Sequence, residues 1–281
     1  MATRKSDPGI DGRWTETPAS RPRARSSGPA PSMSINSGRV RDALATIRNF
    51  DTLMRSSSVD KALLASVLSE IGTACSTLRD AFLQTPATYE KLAAFALRRI
   101  DELDQVLTQT VPTTTAERIA LGDGFIGKAS ADLSAAAELL DLAERSQSPA
   151  PIELSLAMLA RESLQMALAL RAEATADVHV SANIPDTVVV CDPQIASRVI
   201  ALAVSIAYRP TGSSLLVTTE VSDQRAIVRV EPRDEPASPR VAMRIQRLIE
   251  PTEDVAKRAA AAAGIDLRRD GDAIVITLPT Q

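Results

Sequence analysis

The sequence predicts an α+β protein in which an antiparallel helical bundle is followed by an α/β sandwich. Three observations carry that expectation. Between residues 39 and 146 apolar residues recur at steps of three and four with brief interruptions, the pattern of long helices packed side by side. After Ser146-Gln147-Ser148-Pro149-Ala150-Pro151 the pattern changes to short β-branched runs alternating with helical ones. Hydrophobic residues make up 44% of the 281 residues but aromatics only 2%, so the core must be aliphatic. The expected boundaries are a disordered tail over 1–38, the bundle over 39–148 and the α/β half over 149–281.

Residues 1–38 are rich in Pro, Ser, Gly and Arg and too poor in apolar residues to offset their ordering entropy. The Arg21-Pro22-Arg23-Ala24-Arg25 cluster makes the tail mildly basic. A first helix is expected over 39–55, with Val40, Leu44 and Ile47 on one side. Ser56-Ser57-Ser58 should break it and cap the next. The second helix, 58–84, carries Leu64, Leu68, Ile71, Cys75, Leu78 and Phe82, a heptad seam. Thr85-Pro86 stops it. The third, 87–109, repeats the seam with Ala93, Ala96, Ile100, Leu103 and Leu107. The fourth, 115–146, carries Ile126, Ala129, Leu133, Ala136, Leu140 and Ala143, with Gly122 and Gly124 weakening its start. The seams suit a homodimer or a bundle closed within one chain, and the sequence leaves both open.

In the second half a helix is expected over 151–175, a short strand at 178–180, a buried strand at 188–190 and a helix over 193–208 opened by Asp192-Pro193. Strands at 213–221 and 225–231 form a hairpin. Helices are expected at 239–249 and 252–263, then strands at 265–269 and 273–278 joined by Gly271-Asp272. The single histidine, His179, reads as an edge-strand side chain. Cys75 and Cys191 read as two reduced core thiols. No run of about 18 apolar residues and no N-terminal apolar signal region occur, which predicts a cytoplasmic protein.

The segments LSAAAELLDLAERSQSPAPIELSLAMLARESLQMA (from Leu133), VHVSANIPDTVVVCDPQIASRVIALAVSIAY (from Val178) and AAAAGIDLRRDGDAIVITLP (from Ala260) resemble, in that order, the end of a sensor histidine kinase. The resemblance implies a dimerisation and phosphotransfer bundle joined to an ATPase domain, in bacterial signal transduction. It also implies that the helix after Asp192 is the one that bears the asparagine box.

This sequence departs from that pattern at each chemical position. Leu202 and Ile206 stand where the two asparagines belong, and a magnesium ion needs oxygen ligands that Ile206 lacks. Pro232 replaces the adenine-reading Asp, and Asp234 and Pro236 replace glycines that let backbone approach the nucleotide. Glu250-Pro251-Thr252-Glu253-Asp254 replaces a glycine-rich lid and puts negative charge where phosphates would lie. The bundle segment has no histidine to carry a phosphoryl group.

The reading that follows is a non-catalytic, pseudokinase-like adaptor or regulator, with no cofactor. Its partners would be response-regulator-type or kinase-type signalling proteins, and Arg98, Arg99, Asp101, Glu102 and Gln105 are the candidate contact residues. One alternative is a nucleotide-binding enzyme with a site rebuilt from Asp192, Asp234, Glu250, Glu253 and Asp254. Another is a nucleic-acid-associated regulator using the basic tail; Arg240, Arg244 and Arg247, at helical spacing on one expected helix, would instead meet an acidic protein face. A net charge of −3 and the scarcity of aromatics weigh against nucleic acid. The same sequence predicts that the space beneath the helix after Asp192 is packed, not pocketed.

Overall fold

A computed structural model describes residues 34–54, 60–109, 112, 114–169, 174–180, 184–208, 214–233, 240–245 and 251–281. The expected tail lies outside these for residues 1–33, while Ser34–Gly38 form the opening of the first helix. The fold is α+β, with helices first and then helices on a mixed sheet.

Helix α1 spans Ser34–Met54 and α2 spans Lys61–Leu83. The cap of α2 is Asp60, not the serines: its side chain accepts from the Leu63 amide at 2.7 Å, while the expected serine break at 56–58 lies outside the described residues. A 3₁₀ turn at Ala87–Tyr89 leads into α3, Glu90–Gln109. Helix α4, Thr115–Leu121, starts in a capping box between Thr114 and Glu117. It runs through a π-helical turn at Gly122–Ile126 into α5, Gly127–Arg145. The turn widens where Gly122 and Gly124 already weaken α-helical preference.

Around the bundle α1 meets α2, α2 meets α3, α3 meets α5 and α5 meets α1. The four-helix ring therefore closes within one chain. Helix α5 runs against both neighbours: Arg48 reaches Ser134 and Arg41 reaches Asp141, while Tyr89 reaches Ser146 and Arg99 reaches Asp132. The heptad residues fill the centre, with Ile47, Ile71, Cys75, Leu78, Phe82, Ala96, Ile100, Leu103, Ile126, Leu133 and Ala136 fully buried.

In the second half, strand β1 (Ile152–Ser155) precedes α6 (Leu156–Ala169). The expected helix over 151–175 is thus corrected at its start: four residues pair antiparallel with β3, Val188–Cys191. Strand β2 is Ala174–Val180 and helix α7 is Pro193–Ala207. Strands β4 (Ser214–Ser222) and β5 (Arg225–Arg233) form the expected hairpin. Its two turn residues, Asp223 and Gln224, have φ of 50° and 60°, the left-handed pair that matches strand twist. The expected helix over 239–249 is also corrected: residues 240–245 form strand β6, Arg240–Ile245, paired antiparallel with β2. Helix α8 (Pro251–Ala262) ends in a Schellman motif at Gly264, with Ile265 N–H donating to Ala260 O and Gly264 N–H to Ala261 O. Strands β7 (Asp266–Asp270) and β8 (Ala273–Pro279) complete the sheet.

The six-stranded order is β6-β2-β4-β5-β8-β7. Helices α6 and α7 cover the face that carries Val180, Val217 and Val228. The edge position expected for His179 is corrected, because β2 lies between β4 and β6 and His179 is fully buried.

The two halves meet through α8, which packs across α3 and α5, and through α7 against α5. Asp192 ties the junction. Its Oδ1 accepts from the amides of Gln194 and Ile195, capping α7, and its Oδ2 accepts from the Ala150 amide at 2.9 Å. Asp192→Ala removes a cap and leaves that amide unpaired. We expect urea unfolding to show a loss of about 2 kcal/mol. A loss under about 0.5 kcal/mol would show that water replaces the carboxylate without cost.

Candidate functional site

Helix α7 is the element on which the resemblance places a nucleotide site. Asp192 caps it and Pro193 sets its first φ, so the sequence starts the helix where expected. From Val199 to Ala207 every residue except Leu202 is buried. Ile206 is 5% exposed and Leu202 is half-buried against the core. Four residues apart, they lie one turn from each other on a helix that α5, α6, α8 and the sheet surround.

Between α6, α7 and the sheet the free volume is about 20 Å³, lined by aliphatic residues such as Leu164, Ile184, Ile200 and Val204. That is room for about one water.

The other positions singled out by the resemblance are placed as follows. Pro232 sits in β5 opposite Leu215, beyond the last β5–β8 pair at Val230 and Ile274. A proline is tolerated there because the strand is no longer flanked on both sides. Asp234, Pro236 and Glu250 lie outside the described residues. Thr252, Glu253 and Asp254 form the first turn of α8. Glu253 pairs with Lys257 at 2.8 Å and Arg269 at 3.1 Å, and Asp254 pairs with Arg258 at 3.0 Å. The hydrogen bond from Lys257, aided by Arg269, holds the Glu253 carboxyl below its ordinary value against the opposing effect of burial. These oxygens serve the helix start and the β7 strand. Among the described residues no group of three His, Cys, Asp or Glu side chains could hold a metal ion.

The expected partner residues on α3 have intramolecular contacts. Arg99 pairs with Glu102 at 2.7 Å and with Asp132 of α5 at 2.9 Å. Asp101 binds Arg79 of α2 at 2.8 Å, and Asp104 adds a second carboxylate at 3.5 Å. The hydrogen bond to Asp101 pushes the Arg79 guanidinium above its ordinary value. Arg98 and Arg99 lie 6.0 Å and 5.6 Å from the Phe95 ring centre. Arg98 and Gln105 are exposed. Arg240 and Arg244, expected on a helix, stand in β6 opposite His179 and Thr175, and Arg247 lies outside the described residues.

Sequence reasoning overlooked a groove on the outside of the bundle between α1 and α2. Its volume is about 570 Å³. Ala43, Ala74 and Ala81 form its floor, and Asp42, Glu70 and Asp80 stand along it with Arg39. The signal was present: 39, 42, 43 and 46, and 70, 73, 74 and 77, repeat at helical spacing beside the two seams.

No helix among the described residues is long and apolar enough to cross a membrane. No protein-family model and no curated protein matches the chain. Among solved structures it is similar to an Acinetobacter baumannii histidine kinase, AdeS, at 12% identity and a TM-score of 0.41, covering 68% of this chain and 95% of that one. It is also similar to a histidine kinase from Burkholderia phymatum at 16% identity and a TM-score of 0.31, covering 70% and 97%. Likeness at this level assigns no activity.

Two outcomes follow from the burial described. Ile206→Asn places an amide in an apolar site. Urea unfolding should show a loss of roughly 3 kcal/mol. A loss below about 1 kcal/mol would mean that position 206 opens onto water. Burial pushes the thiols of Cys75 and Cys191 up to about 11. Neither should react with a disulfide reagent at about pH 8 in the native protein, and both should react in denaturant. Rapid native reaction of either would contradict its burial.

Proposed function

We propose that this chain is a non-catalytic, histidine-kinase-like adaptor or regulator in signal transduction, acting through protein contacts made by its helical bundle. The observation that carries the reading is the packing of α7. Its asparagine-box positions are Leu202 and Ile206, and Ile206 is buried on a helix that is covered on all sides. A nucleotide-binding enzyme would need polar side chains and open volume at this helix. Of the acidic residues from which a site could be rebuilt, the described ones are engaged in caps and ion pairs: Asp192 on α7, Glu253 and Asp254 on Lys257, Arg258 and Arg269.

The closed ring supports a partner other than a second copy. All four helical seams meet inside one chain, so the apolar surface that would drive bundle-to-bundle dimerisation is already covered. In this reading the domains are the bundle over 39–148 and an ATPase-like half over 149–281 that holds it in place.

The test is thermal unfolding of the purified protein across a wide range of magnesium-ATP. A ligand at about 100 times its dissociation constant stabilises the native state by roughly 2.7 kcal/mol, which moves the midpoint of a chain this size by several degrees. The expected result is no shift up to millimolar nucleotide. A saturable shift would remove the non-catalytic reading.

A further inference from the structure

We propose that the outer groove between α1 and α2 docks a single helix of a partner protein, one with an alanine-sized apolar stripe flanked by lysine or arginine. The proposal rests on the adaptor reading above and adds the site and the chemistry of the partner.

Shape is the first argument. Along α2 the lining runs from Glu70 to Gln84, roughly 20 Å at 1.5 Å per residue, which is the length of a three- to four-turn helix. Ala43, Ala74 and Ala81 at the floor permit close approach of a third helix axis.

The chain supplies its own example. On the opposite hairpin of the ring, α8 packs across α3 and α5. Its buried face is Val255, Ala256, Ala259 and Ala260. The corresponding place across α1 and α2 is the open groove. One pair of bundle helices thus already receives an alanine-rich helix, and the other has a small-residue floor with nothing of the described chain in it.

Charge and hydrogen-bonding capacity select the rim. Asp42, Glu70 and Asp80 face one cation, Arg39. None of the three carboxylates forms an ion pair within the described residues. The groove's hydroxyl protons are spent on its own helices: Thr46 donates to Asp42 O at 3.2 Å, Thr73 to Ser69 O at 3.1 Å and Thr77 to Thr73 O at 3.0 Å. The groove therefore offers acceptors and negative charge and few donors. Side chains that only donate, lysine and arginine, complement it. A partner helix with acidic flanks meets like charge.

The test uses the full chain and a fluorescent, lysine-flanked alanine/leucine helical peptide, read by anisotropy. Saturable binding is expected, weakened about tenfold when ionic strength rises from roughly 0.05 to 0.5 M, because the rim charges are exposed. Thr73→Arg and the pair Asp42→Lys with Glu70→Lys should each reduce affinity by about tenfold or more without moving the thermal midpoint. Glu162→Lys on the exposed side of α6 should leave binding unchanged, and a glutamate-flanked peptide should not bind. No saturable binding to the unaltered protein, or binding unaffected by the groove variants, overturns the proposal. The nucleotide titration separates the two readings. A nucleotide shift with peptide binding intact removes the adaptor and keeps the groove. Absence of both a shift and peptide binding removes only the groove.

Discussion

A helix packed on most of its sides has little room for a row of polar side chains, and α7 is such a helix. The sheet and α6 lie against it, α8 packs on it, and α5 touches it. From Val199 to Ala207 its residues are aliphatic apart from Ser205, and all but Leu202 are buried. With α7 packed in this way, an amide at 206 would face carbon. An unpaired polar group there would cost on the order of 1–3 kcal/mol, so isoleucine is what that environment favours. The only strongly polar residue of its central turns, Arg198, escapes sideways to Asp141 at 2.6 Å.

That enclosure also sets how the halves join. Helix α8 closes α7 from one side and rests on α3 and α5 from the other, so the same alanine-rich segment completes both the sandwich and the contact with the bundle. The Arg198–Asp141 pair, with Arg41 at 3.7 Å from the same carboxylate, is about a quarter exposed at the aspartate. Pairs in such surroundings contribute little net stability. Their value is directional: Asp141 fixes which turn of α5 faces α7 and which faces α1. Burial along α7 and α8 supplies the energy, and Asp141 and Asp192 set the register.

The bundle helices were legible because their seams are local patterns repeated over many turns. Ile71, Cys75 and Leu78 are written at heptad spacing and are buried where that spacing puts them. The same holds for α7, whose Asp-Pro start and apolar composition are local signals. Strands β1 and β6 were not legible as strands. Ile152–Ser155 runs into α6 without a break, and only its pairing with the distant Val188–Cys191 makes it a strand. In Arg240–Ile245 the arginines at 240 and 244 suggest a helix, while Val241, Met243 and Ile245 alternate as in a strand. Pairing with β2, over sixty residues earlier, decides for the strand. Missing β6 is also what made His179 look like an edge residue. The departures from the resembled pattern were readable one by one, but the burial of Ile206 depends on long-range packing around α7, which no local pattern reports.

A surface specialised for binding gains from being formed in advance, because ordering a loop or a side chain on association costs free energy. The α1–α2 face meets that condition. Its floor alanines belong to helices whose opposite sides are fixed by Ile47, Ile71 and Leu78 in the core. Its hydroxyls are already held by their own helices, and its carboxylates stand on exposed turns. The α3–α5 face, by contrast, is taken up by α8 and crossed by the Arg99–Asp132 pair. Closing the ring within one chain makes these two faces unequal: one holds the α/β half, and no element of the described residues covers the other. A symmetric dimer of hairpins would present the two faces alike, so the asymmetry is a consequence of building the ring from a single chain.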